Sequence, residues 1–256
     1  MAKTILITGS TSGIGLGIAR AFAAQGYNVA FNGLEPNGAE IAQQVADEFK
    51  IDHMFSPANM LKPEEIRAFA AEAIQRFGQV DVLVNNAGIQ FVAPIDAFPE
   101  EKWDAIIAIN LTAAFHLTKA VWPSMKTKKS GRIINIASAH GLVASEFKSA
   151  YVSAKHGIVG LTKTLALEGA EFGITANAIC PGYVHTPIID NQIADQMKAH
   201  NMSREDVIAK VMLEKQAIKE FIPITAIAQT ALYLASDAAA QLTGAALPVD
   251  GGWTAQ

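Results

Sequence analysis

The stretch Thr4-Ile5-Leu6-Ile7-Thr8-Gly9-Ser10-Thr11-Ser12-Gly13-Ile14-Gly15 decides how the chain folds. It begins with a short apolar run and leads into residues 14–24, whose apolar side chains recur at helical spacing. This order predicts a strand, a glycine-rich turn and a helix. Glycine has no Cβ, so the turn can be tight and can bring backbone N–H groups close to a pyrophosphate at the helix N-terminus.

The spacing of the glycines narrows the kind of anion site. The order Gly9-x3-Gly13-x-Gly15 is not that of a P-loop, because no Gly-Lys-Ser/Thr follows it. The anion would be held by the backbone and by about half a positive charge at the helix N-terminus. A merely structural turn is the alternative, but the position between the first strand and the first helix favours a dinucleotide site.

The rest of the chain repeats the alternation of strands and helices. Helical spacing fills the intervals, as in residues 64–77, 103–125 and 149–171. Strands that are apolar without alternation are typical of a parallel sheet covered on both faces. We therefore predict one doubly wound α/β domain over residues 1–256. The runs that predict its strands are Thr4–Ile7, Asn28–Phe31, His53–Phe55, Val80–Val84, Arg132–Ile136, Thr175–Ile179 and Ala246–Val249.

Composition excludes several classes of protein. Half of the 256 residues are apolar and 17% are charged, which is typical of a globular fold with a large core. The net charge is -4 and no Lys/Arg run occurs, so we expect neither nucleic acid nor an anionic membrane as a partner. Without a long apolar stretch we predict neither a signal peptide nor a membrane span, and hence a cytoplasmic protein. The single cysteine, Cys180, permits no internal disulfide and no cysteine-based zinc site, and we expect no metal.

Residues 188–223 interrupt the strand–helix rhythm. Residues 191–199 and 204–215 predict two helices that come after the carboxyl end of a strand. Ligands of open parallel sheets bind beyond those ends, so we interpret the segment as a substrate lid. An ordinary surface pair of helices is the alternative.

The end of the second strand indicates which dinucleotide binds. It reads Phe31-Asn32-Gly33-Leu34-Glu35, with no Arg or Lys to neutralise a 2′-phosphate. We therefore predict NAD rather than NADP. No acid stands at the strand's tip, so the ribose contact would come from the backbone, Asn32 or Glu35.

A tyrosine and a lysine one helical turn apart suggest proton transfer. Tyr151 and Lys155 share a helix face, and Ser138 follows the fifth strand. A nearby ammonium would lower the tyrosine pKa from its usual value near 10. Ser138 could then hold a substrate oxygen while Tyr151 takes its proton and a hydride leaves the same carbon for a nicotinamide. A surface Tyr and Lys on an amphipathic helix is the alternative.

These motifs, together with Asn85-Asn86-Ala87-Gly88, Asn110 and Pro181-Gly182, resemble the short-chain dehydrogenase/reductase family over nearly the whole chain. The resemblance implies a seven-stranded Rossmann sheet, a homotetramer and a tetrad of Asn110, Ser138, Tyr151 and Lys155, with Asn110 holding a water on the proton path to Lys155. Asn59 stands where the family usually has an Asp for the adenine amine. The cofactor-binding residues that the resemblance implies are Gly9, Thr11, Gly13, Ile14, Gly15, Leu34, Asn59, Met60, Asn86, Gly88, Tyr151, Lys155, Pro181, Val184 and Thr186.

The stretches 134–145, 86–90 and 249–253 resemble, within that family, members that interconvert (R)-3-hydroxybutyrate and acetoacetate with NAD. A short hydroxy acid needs charge-assisted donors that orient its carboxylate. The resemblance places Gln90, His140, Lys148 and Gln192 in that role. Tyr183 stands where those members have Trp, so the pocket could admit a longer acid. Trp253 could wall in the substrate methyl group or belong to the core.

Two other functions stay open on the sequence. The first is another activity of the family, on a different 3-hydroxy acid, a 3-oxoacyl thioester or a sugar alcohol. The neutral end of the second strand and the acidic chain argue against a thioester reductase that uses NADPH. The second is a non-catalytic dinucleotide sensor, against which the Tyr151–Lys155 pair argues.

Overall fold

A computed structural model describes residues 2–186, 189, 193, 197 and 201–255. The described residues form one parallel sheet of seven strands in the order β3-β2-β1-β4-β5-β6-β7. The order reverses between β1 and β4, and this is where open sheets of this kind bind ligands. The predicted fold class is confirmed. The strands are β1 Thr4–Ile7, β2 Asn28–Asn32, β3 His53–Ser56, β4 Val82–Asn85, β5 Gly131–Ile136, β6 Ile174–Pro181 and β7 Ala246–Val249.

Helices cover both faces of the sheet. One face packs against α1, α2 and α8, and its core includes Phe22, Phe31 and Ile227. The other face packs against α3 and α5, with Phe69 and Leu117 fully buried. Burial on both faces explains why the strands are continuous apolar runs. The helices are α1 Gly13–Ala23, α2 Gly38–Phe49, α3 Pro63–Phe77, α4 Glu100–Ile107, α5 Ala113–Lys128, α6 Ser149–Gly169, α7 Arg204–Val207 and α8 Ile224–Ala235.

Two predicted helices are divided in the structure. The helix predicted over residues 103–125 is α4 and α5 joined by a π-helical turn, Ala108–Thr112. The helix predicted over 204–215 is α7 followed by a second π-helical turn, Ile208–Met212. A π turn has no distinct apolar period, so sequence spacing did not separate it from an α-helix. The predicted helix 191–199 lies outside the described residues except at Ile193 and Met197, which are helical.

The continuous stretch Glu100–Lys128 is long and apolar enough to cross a membrane by length and composition. The sequence analysis expected no such stretch. However, Leu117, Val121 and Met125 on it are buried against the sheet and α3, and the core helix of a soluble domain passes the same test. We therefore interpret it as part of the packed domain.

Candidate active site

The glycine loop has the backbone that an anion site needs. Gly9 and Gly13 have φ values of +60° and +50°, a region that other residues rarely adopt. A Cβ on Gly15 would collide with the carbonyl oxygen of Gly9. The loop therefore requires glycine at each of these positions, and it leads into the N-terminus of α1 beside Ile14. The residues present fit a dinucleotide.

Polar side chains under the loop hold it in place. Asn86 donates from Nδ2 to the carbonyl oxygens of Thr8 and Gly9, at 2.9 and 3.0 Å. The backbone N–H of Gly9 donates to Oδ1 of Asn32 at 3.1 Å, and Nδ2 of Asn32 donates to the carbonyls of Ser56 and Ala58. Both amides are thus committed to the loop. Asn32, offered as a ribose ligand, is buried with both ends of its amide engaged, and Nδ2 of Asn86 is turned to the loop.

Glu35 lies over the same loop. Its carboxylate accepts hydrogen bonds from Thr11 Oγ1 and, at 3.0 Å, from Ser12 Oγ. Burial tends to raise the pKa of Glu35, but these hydroxyl donors outweigh burial and the pKa lies below its ordinary value. The carboxylate is therefore a fixed negative charge beside the glycine loop. Of the sources named for the ribose contact, the backbone and Glu35 remain.

The structure describes the three residues that were predicted for the adenosine side of the site. Leu34 is 64% exposed beside the loop, as a side chain that covers a cofactor would be. Met60 is buried in the core with Phe69, so only its backbone is available to a ligand. Asn59 Oδ1 already accepts the N–H of Leu61 at 2.9 Å, which leaves its second lone pair for an adenine amine.

The other cofactor residues lie on the loop after β6. Thr186 faces the glycine loop, since a Cβ on Gly13 would lie 3.5 Å from its Cγ2. Val184 is buried and forms a bridge to Ile222, which continues the sheet edge beyond Pro181. The carboxyl end of β6 thus delivers Pro181, Val184 and Thr186 to the side of the glycine loop.

Ser138 and Tyr151 meet at the carboxyl end of β5. Ser138 begins a short 3-10 helix, where its Oγ accepts the N–H of His140 at 3.1 Å. Tyr151 lies in the first turn of α6, close to the Ser138 side chain. Burial raises the pKa of Tyr151, and the interaction with Ser138 only partly opposes this effect. The lowering of this pKa by Lys155, which the sequence suggests, stays a prediction.

Lys155 is buried behind Tyr151. Its Nζ donates to the carbonyl oxygen of Ile136 at 2.7 Å and lies 5.5 Å from the centroid of the Tyr151 ring. Burial lowers the pKa of Lys155 to about 8, although Cys180 opposes the shift. A lysine with this pKa can hold or release a proton near neutral pH. Burial also raises the pKa of the Cys180 thiol to about 11, which leaves that cysteine inert.

Asn110 lies in the π-helical turn and is buried. Its Oδ1 accepts the N–H of Ile89 at 2.9 Å and its Nδ2 donates to the Ile89 carbonyl at 3.0 Å. Both side-chain groups therefore fix the loop after β4, where Gly88 faces Asn110. That leaves the backbone of Asn110 for the water that the sequence analysis assigned to it.

His140 is buried at the centre of the site. Its ring lies 6.0 Å from that of Tyr151, centroid to centroid, and Nδ1 is 3.5 Å from Ser138 Oγ. Nε2 is buried and has no hydrogen-bond partner among the described residues. Burial, followed by the charges of Lys148, Lys215 and His156, lowers the pKa of His140 to about 4. The ring is therefore neutral at physiological pH.

Of the four predicted carboxylate donors, Lys148 lies near His140, and the loop that carries Gln90 lies next to Lys148. Lys148 is half-buried, and its pKa is lowered by burial and by the charge of Lys215. Gln90 lies on the loop whose Ala93 N–H donates to the Phe147 carbonyl at 2.9 Å, next to Lys148. Gln192 lies outside the described residues.

Lys215 was missed by the sequence analysis. Its charge acts on both His140 and Lys148, so the segment after α7 contributes to the same site. Nothing in its spacing separates it from the other surface lysines. Only the fold brings it to residues that lie more than sixty positions earlier in the chain.

Tyr183 and Trp253 form an aromatic wall beside His140. Their rings stack with centroids 5.4 Å apart and an interplanar angle of 15°. Trp253 also meets the His140 ring edge to face, at 5.0 Å. Trp253 is buried, as the core alternative expects, and its role as a wall for the substrate methyl group stays a prediction.

Comparison with known proteins gives the same assignment of family and fold. The sequence profile of the short chain dehydrogenase family matches residues 3–197. The chain is 55% identical to the D-beta-hydroxybutyrate dehydrogenase of Rhizobium meliloti, over 100% of both chains. It is 52% identical to the protein of the same name from Cupriavidus necator, over 99% of this chain and 98% of that one. A crystal structure of an actinorhodin polyketide ketoreductase variant with NADPH superposes with a TM-score of 0.94 at 33% identity, covering 100% of this chain and 98% of the other.

Proposed function

Because the chain belongs to the short-chain dehydrogenase family, we propose that it oxidises (R)-3-hydroxybutyrate to acetoacetate, reversibly, with NAD as the hydride acceptor. Two relatives that are more than half identical over the whole chain carry the name of this activity, which supports the proposal. The structural observation that carries it is the Nε2 of buried His140, beside Ser138 and Tyr151, which has no hydrogen-bond partner in the part of the chain that the structure describes. A buried donor without a partner is costly unless a ligand completes it.

The substrate carboxylate is the group that would complete His140. In this proposal the neutral ring has its proton on Nε2 and donates it to the substrate carboxylate. Lys148 and Lys215 add positive charge on the same side. Burial, followed by repulsion from Lys215, lowers the pKa of Lys148, and a bound carboxylate would counter both effects. The site therefore suits a small anion rather than an uncharged alcohol.

Ser138 and Tyr151 carry the proton chemistry in this proposal. The Ser138 hydroxyl orients the substrate oxygen, and the Tyr151 phenolate accepts the proton from it as the carbonyl forms. A buried phenol needs a cation to ionise, and Lys155 with its pKa of about 8 supplies that charge directly behind the ring. Asn110 fixes the loop next to this path through its two bonds to Ile89. When bound, the nicotinamide accepts the hydride from the same substrate carbon.

The choice of NAD over NADP rests on Glu35. Its carboxylate is held by Thr11 and Ser12 beside the glycine loop, where it can accept from a ribose 2′-hydroxyl and would repel a 2′-phosphate. No Arg or Lys occurs among residues 31–35 or 9–15 to offset that repulsion. The glycine loop, Leu34, Asn59 and Thr186 would hold the remainder of the cofactor.

We further propose that the protein acts as a cytoplasmic homotetramer with residues 188–223 as the substrate lid. The outer side of α4 and α5 exposes the apolar rings of Trp103 and Phe115, at 37% and 46%. Exposed aromatic rings on a packed helix pair favour self-association. Light scattering of the purified protein tests this assembly, and a monomer at micromolar concentration would contradict it.

Recognition of the carboxylate is the step that tests the function. The kcat/KM for 3-hydroxybutyrate, measured from initial rates, should exceed that for its methyl ester by on the order of a hundredfold. The ester lacks the negative charge that Lys148 and His140 would bind. Comparable rates with the ester, or faster turnover of a 3-oxoacyl thioester, would show that the site serves a different substrate.

A further inference from the structure

The side chain of Gln216 is a buried amide outside the catalytic groups, and it is 1% exposed. Its Oε1 accepts the backbone N–H of Tyr183 at 3.2 Å. Its Nε2 donates to the carbonyl oxygens of Ile218 and Glu220, at 3.2 and 3.0 Å. One amide thus joins the loop after β6 to residues 216–220, and it uses both of its ends.

The segment that Gln216 holds also contacts the C-terminal turn. The N–H of Ile218 donates to the carbonyl of Gly251 at 2.9 Å, two residues before Trp253. A Cβ on Gly251 would lie 2.9 Å from Nε2 of Gln216, and one on Gly182 would lie 3.0 Å from its Oε1. The two glycines therefore leave room for the amide, and a Cβ at either position would crowd it.

These contacts connect Gln216 to the backbone of both segments that carry the aromatic wall. The backbone N–H of Tyr183 donates to Gln216 directly. Trp253 is connected to Gln216 indirectly, through the backbone of Ile218 and Gly251. The wall in turn lies against His140, which contacts Tyr151. A shift in the Gln216 contacts would move the wall relative to the reacting groups without removing any of them.

We propose that Gln216 is a positioning residue that sets substrate length, because its amide holds the Tyr183–Trp253 stack as the wall against the alkyl end of the acid. The inference rests on the proposed function for its substrate class, a short 3-hydroxy acid. The gap between stack and reacting carbon decides whether a methyl or an ethyl group fits. One methylene in an apolar pocket changes kcat/KM by roughly 10–200-fold.

The test compares Gln216→Met, which keeps the length and loses every hydrogen bond, with wild type. The ratio of kcat/KM for 3-hydroxyvalerate to that for 3-hydroxybutyrate should rise on the order of tenfold. Gln216→Glu keeps an acceptor for Tyr183 but loses both donations, and should shift the ratio in the same direction by severalfold. An unchanged ratio in a folded variant of either kind would overturn the inference.

Asn177→Leu is the matched control. Asn177 is also a buried amide, and it joins β6 to Leu242 at 2.7 Å and Ala245 at 3.1 Å, without contacting the wall. The Asn177→Leu variant should lower the melting temperature about as much as Gln216→Met does. It should leave the ratio of kcat/KM for 3-hydroxyvalerate to that for 3-hydroxybutyrate unchanged. A shift in the ratio equal to that of Gln216→Met would reduce Gln216 to a general stability role and overturn the proposal.

A double variant and a spectroscopic signal separate this inference from the proposed function. In a Tyr183→Ala background the wall is already lost, so adding Gln216→Met should change the ratio less than twofold. If Gln216→Met changed the ratio as much in the Tyr183→Ala background as in wild type, the proposal would be overturned. Near-ultraviolet circular dichroism of the Tyr183–Trp253 stack should weaken in Gln216→Met and stay the same in Asn177→Leu, whether or not 3-hydroxybutyrate is turned over. Failure of wild type on that acid would instead contradict the proposed function.

Discussion

The rings of His140 and Trp253 meet edge to face, with centroids 5.0 Å apart and an interplanar angle of 83°. This contact joins the last turn of the chain to the 3-10 helix after β5, more than a hundred positions earlier. It encloses the imidazole in an apolar setting, which explains why His140 stays neutral and why its Nε2 lacks a partner among the described residues.

The buried imidazole of His140 makes the free energy of unfolding depend on pH. The pKa of His140 is about 4 in the folded protein and near 6.5 when unfolded, so the unfolded chain binds more protons between these values. The free energy of unfolding should therefore fall as the pH is lowered from 7 through this window, by about 3 kcal/mol from this group. Urea unfolding of wild type and His140→Gln at pH 7 and pH 4.5 measures the difference. Equal pH dependence in the two proteins would contradict the buried neutral ring.

Removal of the Tyr151 hydroxyl should stop the proton transfer. Tyr151→Phe should lower kcat by at least about 10²–10⁴-fold and leave NAD binding nearly intact, because the cofactor is held mainly elsewhere. Initial rates and NADH fluorescence titration measure the two effects. Tyr233→Phe, on the exposed side of α8, is the control and should retain wild-type activity. Substantial turnover by Tyr151→Phe would remove this residue as the proton acceptor.

The two lysines near His140 should act on the substrate rather than the cofactor. Lys148→Met should raise the KM for 3-hydroxybutyrate about 10–100-fold, because a charge-assisted contact to the carboxylate is lost. Lys215→Met should raise the KM less, since this side chain is exposed. Steady-state kinetics should show the KM for NAD unchanged in both. Lys163→Met, on the solvent side of α6, serves as the control, and equal effects on both KM values would exclude Lys148 from the carboxylate site.

Glu35 should decide between the two nicotinamide dinucleotides. Hydroxyl donors hold its pKa below the ordinary value despite the opposing effect of burial, so the charge persists at assay pH. Glu35→Gln should narrow the preference of kcat/KM for NAD over NADP by about tenfold, because the repulsion of a 2′-phosphate is removed. The control is Glu40→Gln, an exposed carboxylate on α2. A preference that stays at the wild-type value in Glu35→Gln would assign the discrimination to other residues.

The sequence predicts the strands well because burial on both faces leaves an unbroken apolar run. β1 and β7 have the predicted bounds, while β6 extends two residues further, to Pro181, where Val249 pairs with it. The π turn around Asn110 could not be predicted, because its hydrogen bonds span only one residue more than those of an α-helix and leave no distinct apolar pattern. Helical spacing alone therefore gave one long helix.

The site was predictable where chemistry and spacing coincide, as in the glycine loop and the Tyr151–Lys155 pair. It was not predictable where partners come from distant segments. The Asn32 amide, which the sequence offers to a ribose, is used by Gly9, Ser56 and Ala58. Gln216 and Lys215 have no local signature, because their roles exist only once residues 213–222 fold against β6.

The most direct test of the proposed reaction is the initial rate of NADH formation with (R)-3-hydroxybutyrate and its (S) enantiomer, each supplied with NAD and with NADP. Similarity to the D-beta-hydroxybutyrate dehydrogenases predicts turnover confined to the (R) acid, and Glu35 beside the glycine loop predicts that it requires NAD. Turnover of the (S) acid at a similar rate, or none in any combination while NAD still binds, would contradict it.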